Sequence, residues 1–464
     1  MKPEQIKALG IPEGPAVAQA INWIAQFVKA GGDAALIEEY LSAIVADPGS
    51  YLNDPLAGSL AGELYAPAWK QRDRPAPWSQ WGEDLEPDAI KQLVNACSLP
   101  VAEAGALMPD AHLGYGLPIG GVLATDDAVI PYAVGVDIAC RMRLSVYKRP
   151  AKTMRGMKDR LKNILEEETR FGMGAEFKDK RNHDVMDADW SVSPITKRLK
   201  DKAWRQLGTS GSGNHFVEFG TFTLTEEQLG LPAGEYMALL SHSGSRGTGA
   251  QVCAHYSKVA MARRAGLPKE MKNLSWLELD EEAGQEYWHA MNLMGQYAAA
   301  NHECIHRHIA KRVGAKVAID VENHHNFAWK ETHVIDGVEK DVIVHRKGAT
   351  PASDGELGII PGSMATPGYL VRGKGCARSL NSASHGAGRV MSRRAARDSF
   401  TWGGVRKYLA DQGVEVLSAG IDEVPGAYKD IEQVMAAQTE LVEPLGTFQP
   451  MLVKMSPDGE KAED

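Results

Sequence analysis

The sequence predicts a mixed α/β (α+β) fold, a single large domain preceded by a helical extension. Two observations carry this prediction. Apolar residues recur at helical spacing through the first 46 residues. From about residue 88 onward, short β-rich runs alternate with helical stretches and end in glycine or polar loops.

In chain order, AVAQAINWIAQFVKA (16–30) and DAALIEEYLSAIVA (33–46) predict two helices, with Gly-Gly between them as a stop signal. Residues 47–90 are rich in Pro, Gly and Trp and predict an irregular wrap or linker. The runs GGVLAT, AVIPYAVGVDI, RLSVY, YMALLSH, KVAIDVEN, DVIVHRKG and YLVRG predict strands. Helices are expected at 154–167, 250–265, 280–313 and 389–409. The boundaries drawn are a helical N-terminal extension over 1–87, the main domain over 88–455 and a polar tail over 456–464.

Bulk composition narrows the functional classes. The chain has 464 residues, 44% hydrophobic and 24% charged, as expected of a globular protein with a sizeable core. It has no apolar run of membrane-spanning length and no signal-peptide-like start. Five cysteines, an odd number, argue for a reducing cytoplasm over a disulfide scaffold. A net charge of −9 speaks against general coating of nucleic acid, though not against a local basic channel. Arg389, Arg393 and Arg397 fall at i, i+4 and i+8, so a helix would align them on one face.

Six of the fourteen histidines sit in Gly/Ser/Asn-rich segments: MPDAHLG, GSGNHF, SHSGSRG, ENHHNF and SASHGAGR. GVDIAC adds an aspartate and a cysteine. Such borderline ligands, dispersed on tight loops, point to a transition-metal site assembled by folding. For Cys140 alone, a small buried hydrophobe is the competing reading. His302-Glu303-Cys304-Ile305-His306 also fits H-E-x-x-H, the zinc-peptidase pattern, with Glu322 as an imaginable third ligand. That motif lacks the downstream metzincin residues, and a helix with two partly exposed histidines is preferred.

Taken together, MPDAHLGYGLPIGGVLAT, VIPYAVGVDIAC, GSGNHFVEFG, SHSGSRGTG, HHNF, VHRKGATPA, IIPGSMATPGYLVRG, SHGAGRVMSR and AYKD resemble the RtcB family of RNA-splicing ligases, in that family's order. The resemblance implies a GTP- and Mn-dependent ligase, with 88–455 as its catalytic domain. It would join RNA 2′,3′-cyclic phosphate or 3′-phosphate ends to 5′-hydroxyl ends through a His–GMP intermediate. Asp137, Cys140 and His215 would hold one of two Mn²⁺ ions; Cys140, His242 and His325 would hold the other. His385 would be the nucleophile, at the start of a helix whose amides face the phosphate. Asn214, Glu218, Asn326, Ser363, Arg246, Tyr428 and Lys454 would bind the nucleotide, with Glu218 accepting from guanine, Tyr428 stacking and Lys454 donating to O6. Arg346 or Lys347 are further phosphate candidates, and Arg389, Arg393 and Arg397 would contact RNA. His112 and Asp110 are left between the RNA end, support of the metals and a purely structural role. His324 is expected to face away from the metals. The implied partners are RNA, in tRNA splicing or RNA repair, and an activating protein such as archease.

The chain departs from the family pattern in three places. Arg141 stands where a glycine usually follows the cysteine, PGSMATPG replaces PGSMGT, and Lys454 is followed by ten residues rather than one. The first two changes motivate an alternative, a divergent member that binds GTP or RNA without joining ends.

Overall fold

The computed structural model describes residues 1–12, 14–65 and 71–460. Parts of the expected wrap (66–70) and tail (461–464) lie outside the described residues.

Helices Pro3–Ala8, Pro15–Lys29, Ile37–Ala46 and Gly58–Leu64 open the chain. Proline begins the second, where its missing N–H is harmless. The helix buries Ala16, Val17, Ala20 and Trp23, and these join Ile6, Leu41, Ile44 and Leu60 in a core of their own. The strand Trp78–Gln80, within the expected wrap, pairs in parallel with Ala102–His112 and so belongs to the smaller of the two main sheets.

That sheet has five strands, in the order Trp78–Gln80, Ala102–His112, Ile119–Thr125, Val338–Lys347 and Asn326–Ile335. The larger sheet runs Leu357–Ile360, Gly368–Gly373, Val442–Met455, Phe216–Leu224, Gly234–Ser243, Arg141–Pro150 and Val317–His324, with Glu415–Ser418 alongside Val442–Met455. Side chains alternate across it, because neighbouring strand residues face opposite sides. Val217, Phe219, Met237 and Leu239 face helices Lys158–Glu168 and Glu282–Val313. Phe222, Ala238 and Leu240 face the other way, and the same parity carries Glu218 and His242 to that side. The sheet therefore has a helix-covered back and a front that carries chemistry.

Two predicted elements differ. AVIPYAVGVDI is a strand only at Ala128–Val129; Pro131 starts a helical turn to Val134, and Gly135 leaves it at φ +110°. Proline removes a ladder donor and presets the helical φ, which overrides the β-branched composition. The helix expected at 389–409 begins at Arg393, where the Ser392 hydroxyl accepts from Ala395 N at 3.1 Å. It stops at Ser399 and a second helix runs Trp402–Asp411. Arg389 lies ahead of both, bridged to Tyr428, so the three arginines do not share one helical face. The strands Ala102–His112, Phe216–Leu224 and Val442–Met455 and the helices Pro87–Cys97 and Pro194–Gln206 were not among the expected elements.

Ile309, fully buried on Glu282–Val313 against the back of the large sheet, tests this packing. Ile309→Ala is expected to cost about 2–5 kcal/mol, read as a lower urea midpoint at unchanged slope.

Candidate metal and nucleotide centre

The front of the large sheet and the ends of the small one enclose a cavity of about 570 Å³. Its wall includes Asp137, Cys140, Asn214, His215, Glu218, His242, His325 and His385.

Asp137 and Cys140 lie on the loop after the Pro131 turn. Ala139 between them takes φ +58°, a conformation held by its N–H donating to Asn326 O at 2.7 Å. His325 N donates to Cys140 O at 3.0 Å, so backbone bonds join this loop to the strand end that carries His325. His215 immediately precedes the strand Phe216–Leu224, and His242 lies on the strand Gly234–Ser243.

Cys140 Sγ is 3.4 Å from His215 Nε2 and 3.1 Å from His242 Nε2. His242 Nε2 is 3.1 Å from His325 Nε2, and His215 Nε2 is 3.1 Å from an Asp137 oxygen. His242 Nδ1 lies 3.1 Å from the Asn214 carbonyl, which only accepts, so Nδ1 carries the proton and Nε2 is bare. Burial pushes the His242 imidazolium down to about 3 and His325 well below its ordinary range, keeping both neutral. A bare His242 nitrogen facing a second imidazole and a thiol suits a cation, whose charge all three can share. Among the described residues, two sets have the composition and convergence to hold metal ions: Asp137, Cys140 and His215, and Cys140, His242 and His325. Cys140 is shared. Asp137 accepts from Ser245 N at 3.0 Å and Ser245 Oγ at 3.1 Å. Burial alone would raise its carboxyl, but the His215 hydrogen bond and charge outweigh this and hold it below the usual carboxylate range.

His385 follows the short strand Ser382–Ser384, and its ring centroid lies 4.9 Å from that of His325. No helix starts at His385; the expected N-terminal amides are replaced by a carboxylate. The fully buried Asp110 sets one oxygen 2.7 Å from His385 Nδ1, and the same oxygen accepts from His385 N at 3.1 Å and Gly386 N at 3.3 Å. Against the effect of burial, His385 holds the Asp110 carboxyl below its ordinary range. An ionised carboxylate only accepts, so Nδ1 keeps the proton and Nε2 is bare. Lys429, overlooked in sequence although AYKD contains it, donates to the carbonyls of Pro109 (3.0 Å) and Ala111 (2.8 Å) on either side of Asp110. Gly388 runs so close that a Cβ there would sit 2.1 Å from Asp110 O.

The remaining candidates divide. Glu218 faces the cavity with no donor on its carboxyl among the described residues, and burial raises it well above its ordinary range. Asn326 lies in the wall but braces it, donating to Asp137 O at 3.3 Å and accepting from Gly348 N at 2.9 Å. The Ser363 hydroxyl pairs with Thr366 Oγ1 at 2.9 Å. Tyr428 lines the cavity with its hydroxyl on Glu423. Lys347 also lines it, and burial lowers its ammonium to about 8.

Three expectations are corrected. Val453 and Met455 face the cavity, so alternation turns Lys454 away, to Leu165 O at 3.2 Å and Glu166 at 2.9 Å. Arg246 is buried behind the His215 loop, donating to Thr209 Oγ1 at 3.1 Å and Gly172 O at 2.6 Å. Arg346 is buried in a pair with Glu331, at 2.6 Å.

Arg389, Arg393 and Arg397 converge on one acidic corner. Arg389 reaches Glu423 at 3.5 Å, Arg393 reaches both Glu423 and Asp422, and Arg397 reaches Asp422 at 2.9 Å. His112 donates from Nδ1 to Asp110 O at 3.1 Å and lines the cavity. His324 packs on Phe327 and Trp329, outside both metal sets, as expected. The Arg141 guanidinium turns to Ala139 O, Gly295 O and Glu322, so its charge is taken up behind the loop.

Among the described residues the H-E-x-x-H histidines belong to no metal set, and both are buried rather than partly exposed. Both bond the Ser241 hydroxyl, at 2.9 Å from His302 and 2.8 Å from His306. Glu303 turns outward to His183 and Arg307, and Glu322 pairs with Arg141 and Arg143.

A family model described as tRNA-splicing ligase RtcB matches residues 92–193 and 186–455. A Methanococcus maripaludis protein named tRNA-splicing ligase RtcB is 33% identical over 424 residues, covering 76% of this chain and 88% of its own length. The Escherichia coli RNA-splicing ligase RtcB is 32% identical over 404 residues, covering 80% and 96%. A Mycobacterium tuberculosis protein of that name is 33% identical over 413 residues, covering 75% and 95%.

A Cβ at Gly244 would lie 2.1 Å from an Asp137 carboxylate oxygen. Gly244→Ala is therefore expected to displace Asp137 and weaken metal binding at its site by about 10–100-fold, as disturbed support of a metal ligand does. Titration with Mn²⁺ or Co²⁺ checks this; unchanged affinity and stoichiometry would show that Asp137 is not a ligand.

Proposed function

This chain belongs to the RtcB family and is an RNA ligase, and we propose that it joins RNA 2′,3′-cyclic phosphate or 3′-phosphate ends to 5′-hydroxyl ends with GTP and two Mn²⁺ ions. The observation that carries this is the Asp110–His385 pair, which turns a bare imidazole nitrogen into the cavity next to the Cys140-centred cluster.

The proposed reaction has three steps. Water opens the cyclic phosphate, breaking the P–O2′ bond and leaving a 3′-phosphate. His385 Nε2 attacks the α-phosphorus of GTP; an N–P bond forms and the bond to pyrophosphate breaks. A 3′-phosphate oxygen takes the guanylyl group as the N–P bond to His385 breaks, and the 5′-hydroxyl of the second RNA, losing its proton to solvent, then attacks that 3′-phosphate, forming the phosphodiester and releasing GMP. When bound, the metal pair supplies positive charge to the phosphate oxygens and favours in-line geometry. Asp137, Cys140, His215, His242 and His325 would hold it.

The chain's own groups have separable roles. Asp110 holds His385 in the reactive tautomer and stabilises the positive charge that builds on the ring. Asn214 would donate its side-chain amide to an α-phosphate oxygen. Glu218 would accept from guanine N1–H and the exocyclic amine, a donor pair adenine lacks, which favours GTP over ATP. Tyr428 would face the base, with Ser363 and Asn326 shaping the pocket. Lys347 adds charge near the phosphates. Arg389, Arg393 and Arg397 would meet the RNA backbone in competition with Asp422 and Glu423. The five free cysteines agree with work in a reducing cytoplasm, and no described helix is long and apolar enough to cross a membrane. Spliced tRNA or damaged RNA is the substrate class, and an activator of the archease type is a candidate partner.

The test is joining of two oligoribonucleotides, one ending in a 2′,3′-cyclic phosphate and one starting with a 5′-hydroxyl. Ligation should require GTP and Mn²⁺ and fail with ATP. Asp110→Asn is expected to slow it on the order of 10⁴-fold, the loss that follows when a tautomer-fixing carboxylate is amidated. Bound metal and GTP without joined product would favour the non-ligating alternative, which the Arg141 and PGSMATPG departures motivate.

A further inference from the structure

The segment Leu113–Gly116 links the strands Ala102–His112 and Ile119–Thr125 and forms part of the cavity rim. Its two large side chains point into water: Leu113 is 52% exposed and Tyr115 is 65% exposed, the highest value among the large apolar side chains described. Val390, 54% exposed, belongs to the same cavity wall.

The backbone beneath these side chains is hydrogen-bonded at Leu113, Gly114 and Tyr115. Leu113 N donates to Glu86 at 2.9 Å. Gly114 both donates to Gln92 at 3.0 Å and accepts from it at 2.5 Å. Lys347 Nζ donates to Tyr115 O at 2.6 Å. Gly116 takes φ +76° in a space where a Cβ would lie 2.8 Å from Asn273 O. Three consecutive residues are thus hydrogen-bonded by groups from elsewhere in the fold, with Gly116 closely packed on Asn273, while the aromatic ring they carry stays in solvent. A single exposed apolar side chain on a free surface needs no explanation. An exposed ring on a braced loop at the mouth of the reaction cavity is a preorganised surface, with its conformational freedom reduced before any ligand arrives.

We propose that Tyr115, with Leu113 beside it, is a stacking platform for the nucleobase that flanks the RNA junction. This rests on the RNA-joining function proposed above. Every base offers a π-face, so such a platform positions an end without reading sequence. It suits a ligase whose substrates share end chemistry rather than base identity. Because the net charge is negative and the nearby arginines are paired with carboxylates, stacking supplies holding power that phosphate contacts alone do not.

The test is equilibrium binding of oligoribonucleotides with 2-aminopurine as terminal base, on the full chain with Mn²⁺. One probe carries it at a 3′-phosphate end, the other at a 5′-hydroxyl end; stacking quenches its fluorescence. The wild type should quench one probe, which identifies the stacked end. Tyr115→Ala should lose that quench and bind the probe about 5- to 150-fold more weakly, the range base–aromatic stacking supplies, and Tyr115→Phe should restore both. Equal affinity and quench in wild type and Tyr115→Ala for both probes would overturn the platform. Intact quenching by a wild type that does not join RNA would overturn the joining function and leave the platform standing.

Discussion

Everything at the front of the large sheet depends on the convergence of metal-ligating atoms on Cys140. A buried thiol, three imidazoles and a carboxylate approach one another within hydrogen-bonding distance, and the His242 proton is turned away from the cluster to the Asn214 carbonyl. Such a cluster is costly in a low-dielectric interior unless a cation completes it. The fold accepts that cost through rigid backbone: Ala139 is held left-handed by Asn326, His325 N bonds Cys140 O, and the His242 proton is fixed on Asn214. These bonds come from distant parts of the chain, so the centre exists only in the folded sheet.

The same logic recurs at His385. Where a helix N-terminus would be a generic cradle for phosphate, the chain places a single buried carboxylate that accepts from the imidazole and from two successive backbone amides. That arrangement does more than hold an anion. It selects one imidazole tautomer and turns the bare nitrogen toward the cavity. Lys429 steadies the carboxylate from outside by gripping the carbonyls on either side of it, and the open backbone of Gly388 allows the strand and the histidine loop to approach this closely.

Much of this was legible in the sequence because many of the functional side chains sit in or beside glycine-rich loops, whose composition differs sharply from the strands they terminate. Asp137, Cys140, His215, His242 and His325 are brought together as expected, and His385 lies beside them. The role of Asp110 was ambiguous because it depends on a contact 275 residues away in the chain. Lys454 and Arg246 were placed wrongly for a related reason. Strand parity turns the first to the back of the sheet, and the second is consumed in bracing a loop. The β-rich appearance of 128–138 failed because one proline outweighs several β-branched neighbours. The His302–His306 pattern has the spacing of a metal motif, but both rings are directed at Ser241, which only the packing of the long helix reveals.

The most direct measurement is incubation of the full chain with GTP labelled at the α-phosphate in Mn²⁺, followed by acid and alkali treatment and mapping of the labelled residue. The geometry predicts an acid-labile, alkali-stable label on His385 that vanishes in His385→Ala. A label that persists in that variant, or none at all on a chain shown to hold its metals, would contradict the assignment of His385 as the nucleophile.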